Sequence, residues 1–194
     1  MNIVDRAKNI LLKPKNEWNV IDQETTSGTV LVITYLVPLA LIPAIAAFIG
    51  YGLFGVSIFG PSISWGFKQA IISFVSTIAG VYISACIINF LAPNFGSTKD
   101  FRKAMQLVVF SYTPIMIAGV FQAIPALSIL AILGLYGLYL LYIGIKPMMK
   151  TPDDKVGVYF LVSLLVIIAV YFIIALILTK ILIGGDYSTV PVMR

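Results

Sequence analysis

The hydroxyl-bearing side chains that could line a polar site lie together in one apolar run, at Ser111, Tyr112 and Thr113. Pro114 follows them directly and has no backbone N–H, so in a helix it leaves the carbonyl of Phe110 without its usual donor. A carbonyl freed inside a membrane needs another partner. The run therefore predicts one of two things: a polar pocket or hinge, or a static kink that a neighbouring hydroxyl satisfies locally.

Three tyrosines recur every three residues further along the chain, at Tyr136, Tyr139 and Tyr142. A belt of aromatic residues at the membrane interface explains Tyr142. Tyr136 lies nearer the middle of its apolar segment, where a phenol needs a hydrogen-bond partner, and we expect Tyr112 or a carbonyl freed by a proline to serve. The candidate functional cluster comprises Ser111, Tyr112, Thr113, Pro114 and Tyr136.

Small residues repeat every four positions at Ser76, Gly80 and Ser84. This spacing lets another helix approach closely. It predicts a helix-packing surface, either within one chain or between two copies.

Other reactive side chains are scarce. The sequence has no histidine and one cysteine, Cys86, which leaves out the commonest general base, the usual zinc ligands and an internal disulfide framework. The long apolar segments contain no Asp or Glu. We expect no catalytic, cofactor-binding or metal-binding residues, and an enzyme is the least expected class.

The elements that position these side chains are predicted to be membrane-spanning helices. The 194 residues are 60% hydrophobic and 11% charged, with a mean hydropathy of +1.02, whereas soluble domains are roughly half apolar and a quarter charged. A crossing needs roughly 20 mostly apolar residues. The predicted spans are residues 29–50, 69–91, 104–123, 126–145 and 157–183. The sequence thus predicts an all-α polytopic helical bundle with about five transmembrane helices, between an N-terminal segment at 1–28 and a short external tail at 184–194.

The basic residues predict the orientation, because cytoplasmic loops carry an excess of Lys and Arg. Four lie in the N-terminal segment, three near the second-to-third connection and three near the fourth-to-fifth, so ten of the 13 fall on one side. The third-to-fourth connection, at Pro125, has none and is predicted to be a tight turn. We expect a protein of the cytoplasmic membrane with its N-terminus inside and its C-terminus outside. The net charge of +5 fits this topology better than nucleic-acid binding.

The N-terminal segment is predicted to form a short amphipathic helix that ends at Pro14. Its apolar residues recur at helical spacing: Ile3, Val4, Ala7, Ile10 and Leu11. The charged residues, Arg6 among them, are placed on the opposite face. Two interpretations stand equal: the helix lies on the inner leaflet with Trp18 at headgroup level, or it packs on the cytoplasmic ends of the bundle.

Three segments carry a resemblance to a known family. They are Phe110-Ser-Tyr-Thr-Pro114, the Leu-Tyr-rich run from Leu133 to Tyr142, and Ile10-Leu-Leu-Lys-Pro14 with the following Trp18. Over essentially the whole chain the sequence resembles the prokaryotic branch of the Ypt-interacting-protein (Yip) family of five-span membrane proteins. The resemblance implies a five-helix bundle with a cytoplasmic N-terminus.

Eukaryotic members of that family associate with small Rab-type GTPases in vesicle traffic and often form oligomers. This sequence lacks their long cytoplasmic N-terminal region and their Asp-Leu-Tyr-Gly-Pro motif, so no Rab-type GTPase is expected as a partner. The expected partners are membrane lipids and a second copy or another membrane protein. Neither a nucleic acid nor a cofactor is expected.

Two functions stay open. The first is a non-enzymatic membrane-organising, trafficking-like or adaptor protein, which acts through the N-terminal segment and basic loops that attract anionic headgroups. The alternative is a small transport, permeation or lipid-scrambling protein that uses the kinked third span. A polar groove from the hydroxyl cluster to one surface would favour transport, whereas a dry, closely packed bundle would favour the first function.

Overall fold

The computed structural model describes residues 2–55 and 60–183. Five helices in this part of the chain are long and apolar enough to cross a membrane. They are α3 (Gly28–Phe54), α4 (Ile63–Phe95), α5 (Phe101–Ala123), α6 (Pro125–Met149) and α7 (Val156–Ile183). The prediction of an all-α polytopic bundle with five spans is confirmed. The tail predicted at 184–194 lies outside the described residues.

Two short helices, α1 (Ile3–Leu12) and α2 (Pro14–Gln23), precede the membrane helices. The Asn2 side chain accepts a hydrogen bond from the Val4 N–H at 3.0 Å and so caps α1. Pro14 occupies the first position of α2, where its missing N–H costs nothing. The chain therefore turns at Lys13, and the two helices form a unit that we call the N-terminal hairpin.

Polar caps make two membrane helices longer than their apolar windows. Ser62 accepts a hydrogen bond from the Trp65 N–H at 3.4 Å, so α4 begins at Ile63 and not near residue 69. Asp100 accepts from the backbone N–H groups of Arg102 and Lys103 and starts α5 ahead of residue 104. At 1.5 Å per residue, the 27 residues of α3 span about 40 Å. This exceeds the hydrocarbon thickness of about 30 Å, so the bundle extends into the headgroup region.

The helix α5 lies at the centre of the bundle, where it contacts α3, α4 and α6. The helix α4 also packs against α3 and α7, and α6 contacts α7. The α4–α5 and α6–α7 connections lie side by side, because the Thr98 N–H donates to the Met149 carbonyl at 2.8 Å. We call this end of the bundle the basic end, since the basic residues of both connections lie there. The α5–α6 turn at Ile124 lies at the opposite end.

Candidate functional site

The predicted hydroxyl run interrupts α5 at Tyr112, two residues before Pro114. The Thr113 hydroxyl lies 2.9 Å from the Tyr35 hydroxyl, and both side chains are fully buried. The Tyr112 hydroxyl lies 3.4 Å from that of Ser84. The run therefore ties α5 to α3 and to α4 through side-chain hydrogen bonds within the bundle.

Ser111 differs from the rest of the run in its hydrogen bonding. It is buried, and its hydroxyl has no hydrogen-bond partner among the described residues. With Tyr112 it lines a cleft of about 480 Å³ between α5, α6 and α7, whose other lining residues are apolar. On the α6 side, a Cβ at Gly137 would lie 2.5 Å from the Ser111 carbonyl oxygen, so the two helices are in close contact there. The cleft is therefore mainly apolar, with Ser111 and Tyr112 as its polar residues.

Tyr136 has a partner, and that partner belongs to the N-terminal hairpin. Its hydroxyl donates to the Leu11 carbonyl at 3.0 Å. Leu11 lies in the last turn of α1, where carbonyls have no donor within the helix. The partner is thus neither Tyr112 nor a carbonyl within the membrane helices. Tyr136 therefore holds α1 against α6 and takes no part in the hydroxyl contacts that Tyr112 and Thr113 of α5 make.

The small residues of α4 face the interior of the chain. Ser76, Gly80 and Ser84 are all buried, and Ser84 is bonded to Tyr112 of α5. Ser76 also lines a small cavity of about 270 Å³ together with residues of α3 and α5. The arrangement supports packing within the bundle rather than between two copies.

A buried ion cluster, which the predicted amphipathic pattern missed, joins the two helices of the N-terminal hairpin. Arg6 is 9% exposed, and its guanidinium donates to the Glu17 carboxylate at 2.5 Å and to Glu24. Its Cζ lies 5.7 Å from the centre of the Phe110 ring, within reach of a cation–π interaction. The placement of Arg6 on the polar face of α1 was wrong, because the two carboxylates compensate its charge on the buried face. Val4, predicted on the apolar packing face, is 71% exposed.

Trp18 anchors α2 against the membrane helices. Its side chain is 1% exposed and meets the Phe110 ring edge-on at 6.4 Å between centroids. A Cβ at Gly144 would lie 2.7 Å from the indole Cε2, so only glycine leaves room for the ring. Asp22, one residue before the end of α2, pairs with Lys150 at 2.5 Å. Lys103 donates to carbonyls of the same turn, where a cation also interacts favourably with the helix dipole.

These contacts combine features of both interpretations of the N-terminal segment: the hairpin packs against α5 and α6 near the basic end with Trp18 buried against protein, and it reaches as deep as Phe110. A sequence signal for the buried cluster does exist. Arg6 follows Ile3 by three residues and precedes Ile10 by four, so it shares their face of α1. Glu17 and Glu24 are seven residues apart, about two helical turns. The hairpin is therefore a second candidate site, held by an ion cluster and an aromatic anchor.

The comparisons with known proteins agree with this architecture. The family model of the Yip1 domain matches residues 8–177, which include most of the N-terminal hairpin, the helices α3 to α6, and α7 as far as residue 177. No curated protein and no solved structure gives a significant match.

Proposed function

The chain belongs to the Yip1 domain family, and we propose that it is a non-enzymatic membrane-organising protein that acts as a one-sided wedge. In this proposal the N-terminal hairpin widens the protein in one leaflet only. A membrane that contains many copies then bends so that this leaflet becomes the outer, convex one. Such a role resembles one step of vesicle traffic, since budding also needs one leaflet to expand relative to the other.

The observation that carries the proposal is the position of the hairpin. It packs beside α5 and α6 at the basic end, through Trp18, Arg6 and the Tyr136 bond to Leu11. Seven helices thus lie at this end, against five at the other in the described part of the chain. A helix with side chains is about 10–12 Å across, so two more helices add roughly 200 Å² of cross-section.

The depth of the hairpin supports its insertion into the leaflet. From Phe101 to Phe110 is nine residues of helix, or about 14 Å, and Arg6 and Trp18 both lie against the Phe110 ring. We take the bundle's overhang of about 10 Å beyond the hydrocarbon core to be shared equally by its two ends, which puts the level of Phe110 inside the hydrocarbon layer. Its outer surface presents three exposed apolar side chains among charged and amide ones: Val4, Leu12 and Val20. Interfacial helices bury such residues at the boundary between headgroups and acyl chains.

The proposal includes an orientation, with the basic end in the cytoplasm and the protein in the cytoplasmic membrane of a prokaryotic cell. The distribution of basic residues and the resemblance of the segment around Pro14 to bacterial members support it. In a Cys86→Ser background, Lys99→Cys would place a thiol on the exposed α4–α5 connection at the basic end. A membrane-impermeant maleimide should label it in inverted membrane vesicles and not in intact cells. Labelling in intact cells would reverse the orientation.

Transport or lipid scrambling is the alternative, and the hydroxyl run is its candidate site. A polar groove from that run to a surface would support it, but the cleft at Ser111 is lined mainly by apolar residues. Thr113 and Tyr35 satisfy each other inside the bundle. The membrane-organising function is therefore the better supported of the two.

One reconstitution separates the two functions. Vesicles would be prepared at increasing protein-to-lipid ratios and imaged by electron cryomicroscopy, and the same samples would be assayed for passage of fluorescent lipid and small solutes. We expect vesicle diameter to fall as protein content rises, with no passage above that of empty vesicles. Passage that Pro114→Ala or Tyr112→Phe weakens in a folded protein, at unchanged diameter, would favour transport.

A further inference from the structure

A polar groove of about 900 Å³ lies at the basic end, between α2, α6 and the start of α7. None of its lining residues belongs to the hydroxyl run of α5. Most of its polar side chains come from α2, α6 and the α6–α7 connection: Lys15, Asn19, Asp22, Lys146, Lys150 and Asp153. The groove therefore combines cations and carboxylates in one space that the membrane-organising function does not require.

The donors in the groove suit the oxygens of a phosphate. Lys15 has no acidic partner in the described part of the chain, and Lys146 pairs with Asp153 where both side chains are largely exposed. An exposed ion pair adds little stability, so a phosphate can replace that carboxylate. Trp18 also lines the groove, and its buried indole N–H lacks an acceptor among the described residues. A buried donor without a partner is costly, and an anionic oxygen would satisfy it.

The acceptors in the groove suit hydroxyl groups. Pro147 lies inside α6 and has no N–H, so the Ile143 carbonyl, four residues earlier, cannot have its helical donor. Both residues line the groove. Together with the carboxylates of Asp22 and Asp153, this carbonyl can receive hydrogen bonds from a ligand that carries free hydroxyls.

Charge and hydrogen bonding together identify the ligand class. The three lysines and two aspartates of the lining leave one net positive charge, which complements the single negative charge of a phosphodiester. We propose that the groove binds one anionic glycerophospholipid, whose phosphate lies among the lysines and whose hydroxyl-bearing headgroup meets the carboxylates and the Ile143 carbonyl. A choline headgroup has no hydrogen-bond donor and leaves those acceptors unsatisfied.

The level of the groove favours a lipid over a soluble phosphate compound. Tyr142 lines it, and the Tyr142 ring meets that of Phe160 in α7 at 5.4 Å. Tyr142 lies about two turns before the end of α6 at Met149, close to the interface where tyrosines are enriched, so a lipid can place its headgroup in the groove and keep its chains in the bilayer. Basic pockets between membrane helices bind anionic headgroups by this chemistry. The site stands independently of the wedge, since a protein that does not bend membranes can still retain a lipid.

The test compares lipid retention by the purified full-length protein and two matched double variants. Phosphatidylglycerol and phosphatidylcholine with identical chains would be titrated in detergent, and bound lipid would be counted by native mass spectrometry. We expect one phosphatidylglycerol per chain, retained in preference to phosphatidylcholine. Lys15→Gln with Lys146→Gln should weaken retention by about 30-fold, from the loss of two lysines near an anionic group. Lys8→Gln with Lys13→Gln removes the same charge from exposed positions outside the groove and should leave retention unchanged.

A second readout follows the indole directly. In a Trp65→Phe background Trp18 is the single tryptophan, and phosphatidylglycerol should shift its emission as the N–H gains an acceptor. Equal weakening in both double variants would overturn the site, since it would show a general charge effect. Equal retention of the two lipids, or unchanged Trp18 emission, would overturn it as well. Water-soluble glycerol phosphate that competes as well as the lipid would overturn the assignment to a membrane lipid.

Discussion

Removal of the Arg6 guanidinium should release the N-terminal hairpin from the bundle. In Arg6→Ala, the Glu17 carboxylate stays 10% exposed and loses its counter-charge, while Glu24 is 27% exposed and is partly rehydrated. Removal of one partner from a buried ion pair costs about 3–5 kcal/mol. The exposure of Glu24 favours the lower value, and loss of the cation–π contact with Phe110 adds about 0.5–1 kcal/mol.

The summed cost of at least about 3.5 kcal/mol lowers the docking equilibrium of the hairpin by roughly 300-fold, at about 1.4 kcal/mol for each factor of ten. The matched control is Arg102→Ala, because Arg102 is 41% exposed and lies 4.0 Å from Asp100. An exposed pair of this kind contributes only about 0–1 kcal/mol. The five membrane helices should stay folded in both variants, since their mutual contacts do not involve the hairpin.

Trp18 reports the release. In the Trp65→Phe background, its emission should move to longer wavelength in Arg6→Ala, and acrylamide should quench it more strongly. Arg102→Ala should behave as the parent protein does, and the helical circular dichroism of all variants should agree. If Trp18 in Arg6→Ala stays as protected as in the parent, the ion cluster does not hold the hairpin, and the reasoning from its burial fails.

Two further substitutions test individual contacts of the hairpin. Gly144→Ala should destabilise the protein by about 1–3 kcal/mol, because the added methyl would overlap the Trp18 ring. The control is Gly157→Ala, whose methyl meets open space and which should be neutral or stabilising by up to about 1 kcal/mol. Thermal unfolding in detergent measures both, and equal melting temperatures would contradict the close contact. Tyr136→Phe should cost about 1 kcal/mol through loss of the bond to the α1 carbonyl, whereas Tyr139→Phe removes no bond that the structure shows for its hydroxyl. An unchanged melting temperature for Tyr136→Phe would show that the phenol contributes nothing to docking.

The five spans could be predicted from the sequence because hydropathy is a local property. Each crossing is a continuous apolar run, and Pro125 divides the longest of them where the structure has its turn. The helices α4 and α5 begin before the apolar windows that were predicted near residues 69 and 104. Ser62 and Asp100 begin these helices through side-chain caps that lie outside the apolar windows.

The packing of the hairpin could not be predicted because its contacts join distant residues. Trp18 meets Gly144 across most of the chain, and no local spacing pairs them. Arg6 was placed opposite the apolar residues of α1, whereas arginine is buried when it is paired, and its pairing with Glu17 depends on the turn at Pro14. For Tyr136, a partner could be predicted from the chemistry of a phenol in an apolar segment, but the identity of that partner depends on where α1 docks.

Sorting on curved membranes tests the one-sided wedge most directly. The protein would be labelled with a fluorophore and reconstituted in giant vesicles with its basic end outward, and narrow membrane tubes would be pulled from the vesicles. The density of labelled protein on the tube, relative to that on the parent membrane, should rise as the tube narrows, because the leaflet that contains the N-terminal hairpin is convex there. Arg6→Ala should reduce this enrichment and Arg102→Ala should preserve it. Equal density on tube and parent membrane at every radius would contradict the wedge.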